Sequence, residues 1–393
     1  MYGRIKRFWA LPLALCSAAG MAGGEAPTRT PASEPPPVLG RFPAATAAEW
    51  YSNARPRVLE FLAENQYGFI PPRPETVRFE QIGRRRTLCD GLVHRRTYRV
   101  TLEHRGRTFG FQAAVYSPAQ TPVRAAVASL NFYTLDRIDH EPERYPIALL
   151  AAEGIKLATI SHNDLFLDKP TPEARKNSVY SLYGEVSGRD RKLTAISAWA
   201  FGYQLLYDLL RTPQERFAGP IWAQGHSRLG KTALWAVAND PRFAGVVSNQ
   251  SGCGGAALYR DKGGEDIDRI LTRFPYWFVP ALDQYRRHED LLPWDQHWLL
   301  AAIAPRPLLV TSATEDAWAC PENEFRAARL AGEVYRLFGV PGIAADAKFP
   351  APDSPLFTPA VGYYVRTGRH TVLREDWRHI VAFMKLNGMA SQK

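Results

Sequence analysis

The segment Ile221-Trp222-Ala223-Gln224-Gly225-His226-Ser227 constrains this chain's fold more than any other stretch. Its first three residues read as a short buried strand. Gly225 then turns the chain sharply, and Lys231 to Ala238 follows with helical spacing. A strand that turns into a helix belongs to a sheet whose neighbouring strands run parallel, because helices must carry the chain back across it. The alternation recurs. Ala125 to Phe132 and Ile155 to Ile160 are continuous apolar strands, and Leu193 to Leu210 is a long apolar helix. Gly245 to Ser248, Leu308 to Ser312 and Val361 to Val365 are further strands. Continuous apolar strands are those buried on both faces. The expectation is an α/β domain with a mostly parallel sheet covered on both sides.

Upstream the pattern changes. Val77 to Ile82, Thr97 to Leu102 and Phe109 to Tyr116 are separated by polar turns, which predicts antiparallel pairing; Arg84-Arg85-Arg86 reads as a solvated turn between two of them. Trp50, Val58, Leu59, Phe61 and Leu62 show helical spacing, so packed structure is expected from about Thr46. Residues 23–45, with Pro35-Pro36-Pro37, read as a flexible linker, and the proline-rich stretch 341–360 as a surface loop. The domain boundaries predicted are 1–22, 23–45 and a single catalytic domain over 46–393.

Residues 1–22 have the pattern of an export signal. Arg4, Lys6 and Arg7 precede a short apolar run, Phe8 to Ala19, and small residues follow at Gly20-Met21-Ala22. This predicts a secreted or periplasmic protein. Leu13-Ala14-Leu15-Cys16 offers a lipoprotein alternative, against which stands the bulk of Leu15 before the cysteine. No other stretch is apolar enough to span a bilayer. The formal charge of +10 falls to about +7 once Arg4, Lys6 and Arg7 are set aside. The remaining basic residues are scattered, which argues against a nucleic-acid partner and leaves a weak attraction for acidic polysaccharides. Cys89, Cys253 and Cys320 would remain after processing. Cys253 and Cys320, near the candidate site residues, are the pair expected if a disulfide forms, and buried thiols are the alternative. Nothing calls for an obligate partner, and a monomer is expected.

Ser227 sits where a strand-to-helix turn would lift its hydroxyl above the sheet. The fit to G-x-S-x-G is imperfect: Leu229 takes the final glycine's place and Gly230 comes one later. An N-capping serine would look similar. Chain order separates the two readings. A serine hydroxyl needs a base to take its proton, and the base needs a carboxylate to orient it. The strand 308–312 runs into Glu315-Asp316, and the strand 361–365 into His370. Ser, acid and His thus follow in α/β-hydrolase order, each at the carboxyl end of a strand, where open α/β sheets place their sites. Asp316 is the expected acid, with Glu315 as the alternative.

Gly-His-Ser-Arg-Leu-Gly-Lys at 225–231, with Ser251-Gly252-Cys253-Gly254-Gly255-Ala256-Ala257, resembles carbohydrate esterase family 15, the glucuronoyl esterases. Asp295-Gln296-His297, Ala304-Pro305-Arg306-Pro307, Glu315-Asp316-Ala317-Trp318 and Gly368-Arg369-His370 match its bacterial members as well. The resemblance spans residues 50–385. It implies an α/β-hydrolase three-layer αβα sandwich and no metal or cofactor. The implied reaction is hydrolysis of the ester between 4-O-methyl-glucuronic acid on glucuronoxylan and lignin alcohols. It also implies Ser227 as nucleophile, His370 as base, Arg228 at the oxyanion, Lys231 and Glu265 on the sugar hydroxyls, and Trp318 beside the sugar. An acetyl xylan esterase and an inactive carbohydrate-binding homologue are the other readings.

One residue departs from the family pattern. Many members carry a catalytic glutamate where this chain has Gln250. A glutamine can orient an imidazole but cannot stabilise an imidazolium as a carboxylate does. Either Asp316 supplies the acid alone, or the enzyme is impaired.

Overall fold

The structure, a computed structural model, describes residues 34–184, 192–261 and 263–389. The expected export signal therefore lies outside the described residues, as does the expected linker up to residue 33. A ten-stranded sheet runs through the domain in the order β1-β2-β3-β5-β4-β6-β7-β8-β10-β9. Its strands are β1 Thr76–Leu88, β2 Val93–His104, β3 Arg107–Pro118, β4 Ala125–Asn131, β5 Ile155–Ser161, β6 Ile221–His226, β7 Gly245–Asn249, β8 Leu308–Ala313, β9 Leu356–Phe357 and β10 Val361–Arg366. Strands β5, β4, β6, β7, β8 and β10 are parallel. Strands β1, β2 and β3 add antiparallel hairpins at one edge, and β9 closes the other.

The fully buried strands behave as their composition requires. Along β4, Ala126, Ala128 and Leu130 enter one core cluster while Ala125 and Val127 enter another across the sheet. Helices α2 (Ala195–Leu210), α3 (Arg228–Asn239) and α4 (Pro321–Tyr335) fill the first. Helices α1 (Ile147–Ala152) and α5 (Arg374–Leu386) fill the second. This is the three-layer αβα sandwich of an α/β hydrolase. Local signals start the helices where they start: the Thr194 hydroxyl accepts the Ser197 N–H at 3.1 Å to cap α2, and Pro321 opens α4 with Glu322 and Glu324 in its first turn.

Three expectations need correction. Arg84-Arg85-Arg86 is not a turn: β1 continues through it, with a bulge between Ile82 and Arg86 at Gly83, whose φ is +68°. Arg86 then faces Arg95 across the ladder, and both guanidinium groups converge on Asp139, at 3.1 and 2.8 Å. The linker's expected end at 45 is also too late. Val38 and Phe42, beside the short helix Val38–Arg41, are buried in the main core. Finally, no disulfide joins Cys253 to Cys320; all three described cysteines are thiols. Among the described residues no helix is long and apolar enough to cross a membrane.

Candidate active site

Ser227 lies between β6 and α3 with φ 57° and ψ −126°, a strained conformation for a residue with a Cβ. Its N–H donates to the carbonyl of Asn249 at 2.8 Å, and its own carbonyl accepts the N–H groups of Gly230 and Lys231. The turn is tight enough to dictate its glycines. A Cβ at Gly225 would lie 2.0 Å from the carbonyl oxygen of Leu229, and one at Gly230 would lie 3.0 Å from Cβ of Ser251. This explains the displaced glycine: Leu229 points into the main core, and the close approach to the chain after β7 falls at Gly230.

The expected acid and base meet. Nδ1 of His370 and Oδ2 of Asp316 are 2.6 Å apart. Asp316 is buried, its other oxygen accepting the Ala319 N–H at 3.2 Å, whereas the His370 side chain stays 41% exposed. Glu315 is exposed and faces Arg369 at 3.2 Å, so of the two neighbouring carboxylates only Asp316 bonds the imidazole. His226 packs its ring against His370, with centroids 4.6 Å apart. Burial first, and the charge of His370 second, push the His226 imidazole well below the usual histidine range, so it stays neutral.

Ser227, Arg228, Lys231, Gln250, Glu265, Trp318 and His370 all line one cleft of about 200 Å³. Lys231 is buried. Its Nζ donates to the carbonyl of Ser251 and stands 3.9 Å from a carboxylate oxygen of Glu265. Trp318 is at the exposed rim, with the guanidinium groups of Arg269 and Arg273 over its ring at 5.9 and 5.6 Å. Glu265 is fixed by its own N–H, which donates to the Trp318 carbonyl at 3.1 Å.

The side chain of Arg228 is held more elaborately than sequence suggests. Its guanidinium pairs with Asp168 and lies over the rings of Trp277 and Phe274, at 4.6 and 5.1 Å. Asp168 also accepts from the Tyr276 hydroxyl at 2.6 Å and from Nε1 of Trp277 at 2.8 Å, with the His162 ring 3.7 Å away. Burial alone would raise the Asp168 carboxyl. His162, the Arg228 charge and the two aromatic donors outweigh it and hold the group well below the usual carboxylate range. Sequence reading missed Asp168, Phe274, Tyr276 and Trp277. The aromatic run Phe274-Pro275-Tyr276-Trp277-Phe278 was the available signal.

Gln250 does not touch the imidazole through any hydrogen bond among the described residues. Its Oε1 accepts the Thr371 N–H and its Nε2 donates to the Thr371 carbonyl, both at 2.8 Å. No group of histidine, cysteine and acidic residues suited to a metal ion occurs among the described residues.

Residues 100–339, more than half of the chain, match the family described as "Glucuronyl esterase, fungi". A carbohydrate esterase from an unknown prokaryotic organism is 34% identical over 370 residues, covering 86% of this chain and 85% of that one. A 4-O-methyl-glucuronoyl methylesterase of Schizophyllum commune is 27% identical, over 76% of this chain and 71% of its own. Among solved structures, a glucuronoyl esterase from Solibacter usitatus superposes with a TM-score of 0.82 at 29% identity, covering 91% of this chain and 98% of that one. A promiscuous esterase of carbohydrate esterase family 15 from a marine bacterial metagenome superposes with a TM-score of 0.76 at 31% identity, over 87% and 93%. With an elbow serine, an aspartate-bound histidine and this breadth of similarity in one chain, the protein belongs to the glucuronoyl esterases, carbohydrate esterase family 15.

Proposed function

We propose that this chain hydrolyses the ester between (4-O-methyl-)glucuronic acid on glucuronoxylan and lignin alcohols, through an acyl-enzyme on Ser227. The observation that carries the reading is that Ser227 and His370 share a single small cleft with Lys231 and Glu265. That cleft has room for about one sugar ring and is smaller than the ~300–1,000 Å³ of typical ligand pockets. A cation and a carboxylate side by side suit vicinal hydroxyls, one donating and the other accepting. An acetyl-group esterase has no need of them.

In the proposed reaction Ser227 Oγ attacks the ester carbonyl carbon and gives its proton to Nε2 of His370. Asp316 holds the Nδ1–H and stabilises the imidazolium. The oxyanion meets the N–H of Arg228 at the start of α3, where the helix dipole and the guanidinium both favour negative charge. His370 then protonates the departing alcohol. Water, losing its proton to His370, attacks the acyl carbon and releases the uronic acid and Ser227. The segment 1–22 is proposed to export the chain to where such polymers are found, and the enzyme to act as a monomer.

Turnover of benzyl glucuronate, benzyl galacturonate and an acetylated xyloside by the wild type and Ser227→Ala tests the reading. The glucuronate ester should be the best substrate, and Ser227→Ala should be inactive. Faster release of acetate from the xyloside would reject the uronate assignment.

A further inference from the structure

We propose that Gln250 is a positioning residue for the base, and that the pair Asn249-Gln250 ties the two halves of the hydrolytic machinery together. The proposal rests on Ser227 and His370 as nucleophile and base, and is independent of which ester they cleave.

His370 stands on a stretch, 367–371, that has no regular secondary structure. Its imidazole is exposed, and the geometry of proton transfer depends on where the main chain puts it. Main-chain groups on both sides of it are pinned. The carboxamide of Gln250 makes two hydrogen bonds to Thr371, one to the N–H and one to the carbonyl, much as one strand pairs with another. Arg366 supplies the rest. Its Nη2 donates to the carbonyls of Arg369 at 2.6 Å and Thr371 at 2.8 Å, and its Nη1 to that of Thr367 at 2.9 Å.

Gln250 is itself held. It is buried, with φ +48°, and its N–H donates to the Thr311 carbonyl of β8 at 2.6 Å. A left-handed conformation is one that glycine adopts without strain and glutamine does not. What this glutamine contributes is its side chain. The preceding residue grips the other half of the site. The Asn249 carbonyl accepts the Ser227 N–H at 2.8 Å, and Asn249 Oδ1 lies 2.5 Å from Nδ1 of His226, the neighbour of the nucleophile. Two successive residues thus bind the nucleophile's turn and the base's loop. The distance between Ser227 and His370 is set across a rigid strand end rather than by the loop alone.

This gives position 250 a role that is neither acid nor vestige. A side chain aimed at the Thr371 main chain is directed away from the work that Asp316 does at Nδ1.

The test uses Gln250→Met, which keeps the volume and removes both hydrogen bonds, with benzyl glucuronate and 4-nitrophenyl acetate as substrates. Misplacing a base by an ångström costs up to about 100-fold, so kcat should fall about 10- to 100-fold on both esters, in the same ratio. KM should stay within about threefold, because the sugar contacts are untouched. Gln250→Glu, placed in an Asp316→Asn background, should not restore turnover. A Gln250→Met enzyme within about twofold of wild-type kcat would overturn the proposal, as would a recovery of tenfold or more by the glutamate. Hydrogen exchange on the wild-type chain needs no variant: the Thr371 amide should be protected, and exchange at the unprotected rate would equally overturn the clamp. A chain that turned over the acetate but no uronate ester would refute the substrate and leave the clamp test intact.

Discussion

Replacing Asp316 by asparagine tests the acid assignment, and its cost can be worked from the contacts. The carboxylate is buried and lies against Nδ1 of a half-exposed imidazole. Losing one unit charge about 4 Å from the imidazolium that forms in the transition state costs about 4 kcal/mol at an effective permittivity near 20. That is about three decades in kcat. A second effect adds to it. Oδ1 of Asp316 accepts the Ala319 N–H, so an asparagine must keep its oxygen there and turn its NH2 group toward His370. The NH2 group can meet Nδ1 only if that nitrogen carries no proton, which puts the proton on the nitrogen that must act as base. Together the effects predict a loss of about 10³- to 10⁴-fold in kcat on benzyl glucuronate, with KM little changed. Glu315→Gln serves as the control, since Glu315 reaches only Arg369 among the described residues. An Asp316→Asn enzyme within tenfold of wild type would refute the reasoning, and so would an equal loss from Glu315→Gln.

Two further predictions concern charges beside the site. Arg228→Lys keeps the backbone N–H but cannot reproduce a planar cation lying over Trp277 while paired with Asp168; kcat should fall about 100-fold with circular dichroism unchanged, and full activity would remove the guanidinium from the mechanism. Asp376 holds Nε of Arg366 at 3.1 Å and the Leu373 N–H at 2.7 Å, and burial, against the pull of these two partners, raises its carboxyl to about 6. The folded value lies above the unfolded one of about 3.9, so the folded state binds this proton more tightly. The stabilisation is complete below about pH 4 and is lost as pH rises through 6. Asp376→Asn, which does not titrate, should therefore gain about 2 kcal/mol on the wild type between pH 4 and pH 7 in denaturation experiments, and a constant difference across that range would contradict it.

The parts of this enzyme that sequence revealed are those written in local order. Ser227, Asp316 and His370 each follow an apolar strand, and the carboxyl ends of parallel strands must lie along one edge, so three distant residues could be assembled without coordinates. Lys231 came with the same turn. What stayed hidden depends on contacts that no periodicity encodes. Asp168 sits in a loop after β5, and its importance lies in the side chains of His162, Arg228, Tyr276 and Trp277 that converge on it. The partner of Gln250 is main chain, which leaves no mark on composition. The arginine run at 84–86 reads as a turn because a bulge at Gly83 offsets the alternation that would have identified a strand. Some motifs that carry the family likeness prove to be supports. Asp295 accepts the Tyr259 N–H at 2.7 Å, and Gln296 donates to the carbonyl of Gly255, bracing the chain that follows Gln250.

The absence of a bridge between Cys253 and Cys320 bears on how the enzyme can be made and where it endures. Secreted domains that rely on disulfides need an oxidant to form them and lose stability when a reductant breaks them. Here the described domain depends instead on two packed layers of side chains against its sheet. Among the described residues a thiol reductant has no bridge to break, so the midpoint of chemical denaturation should not move when one is added.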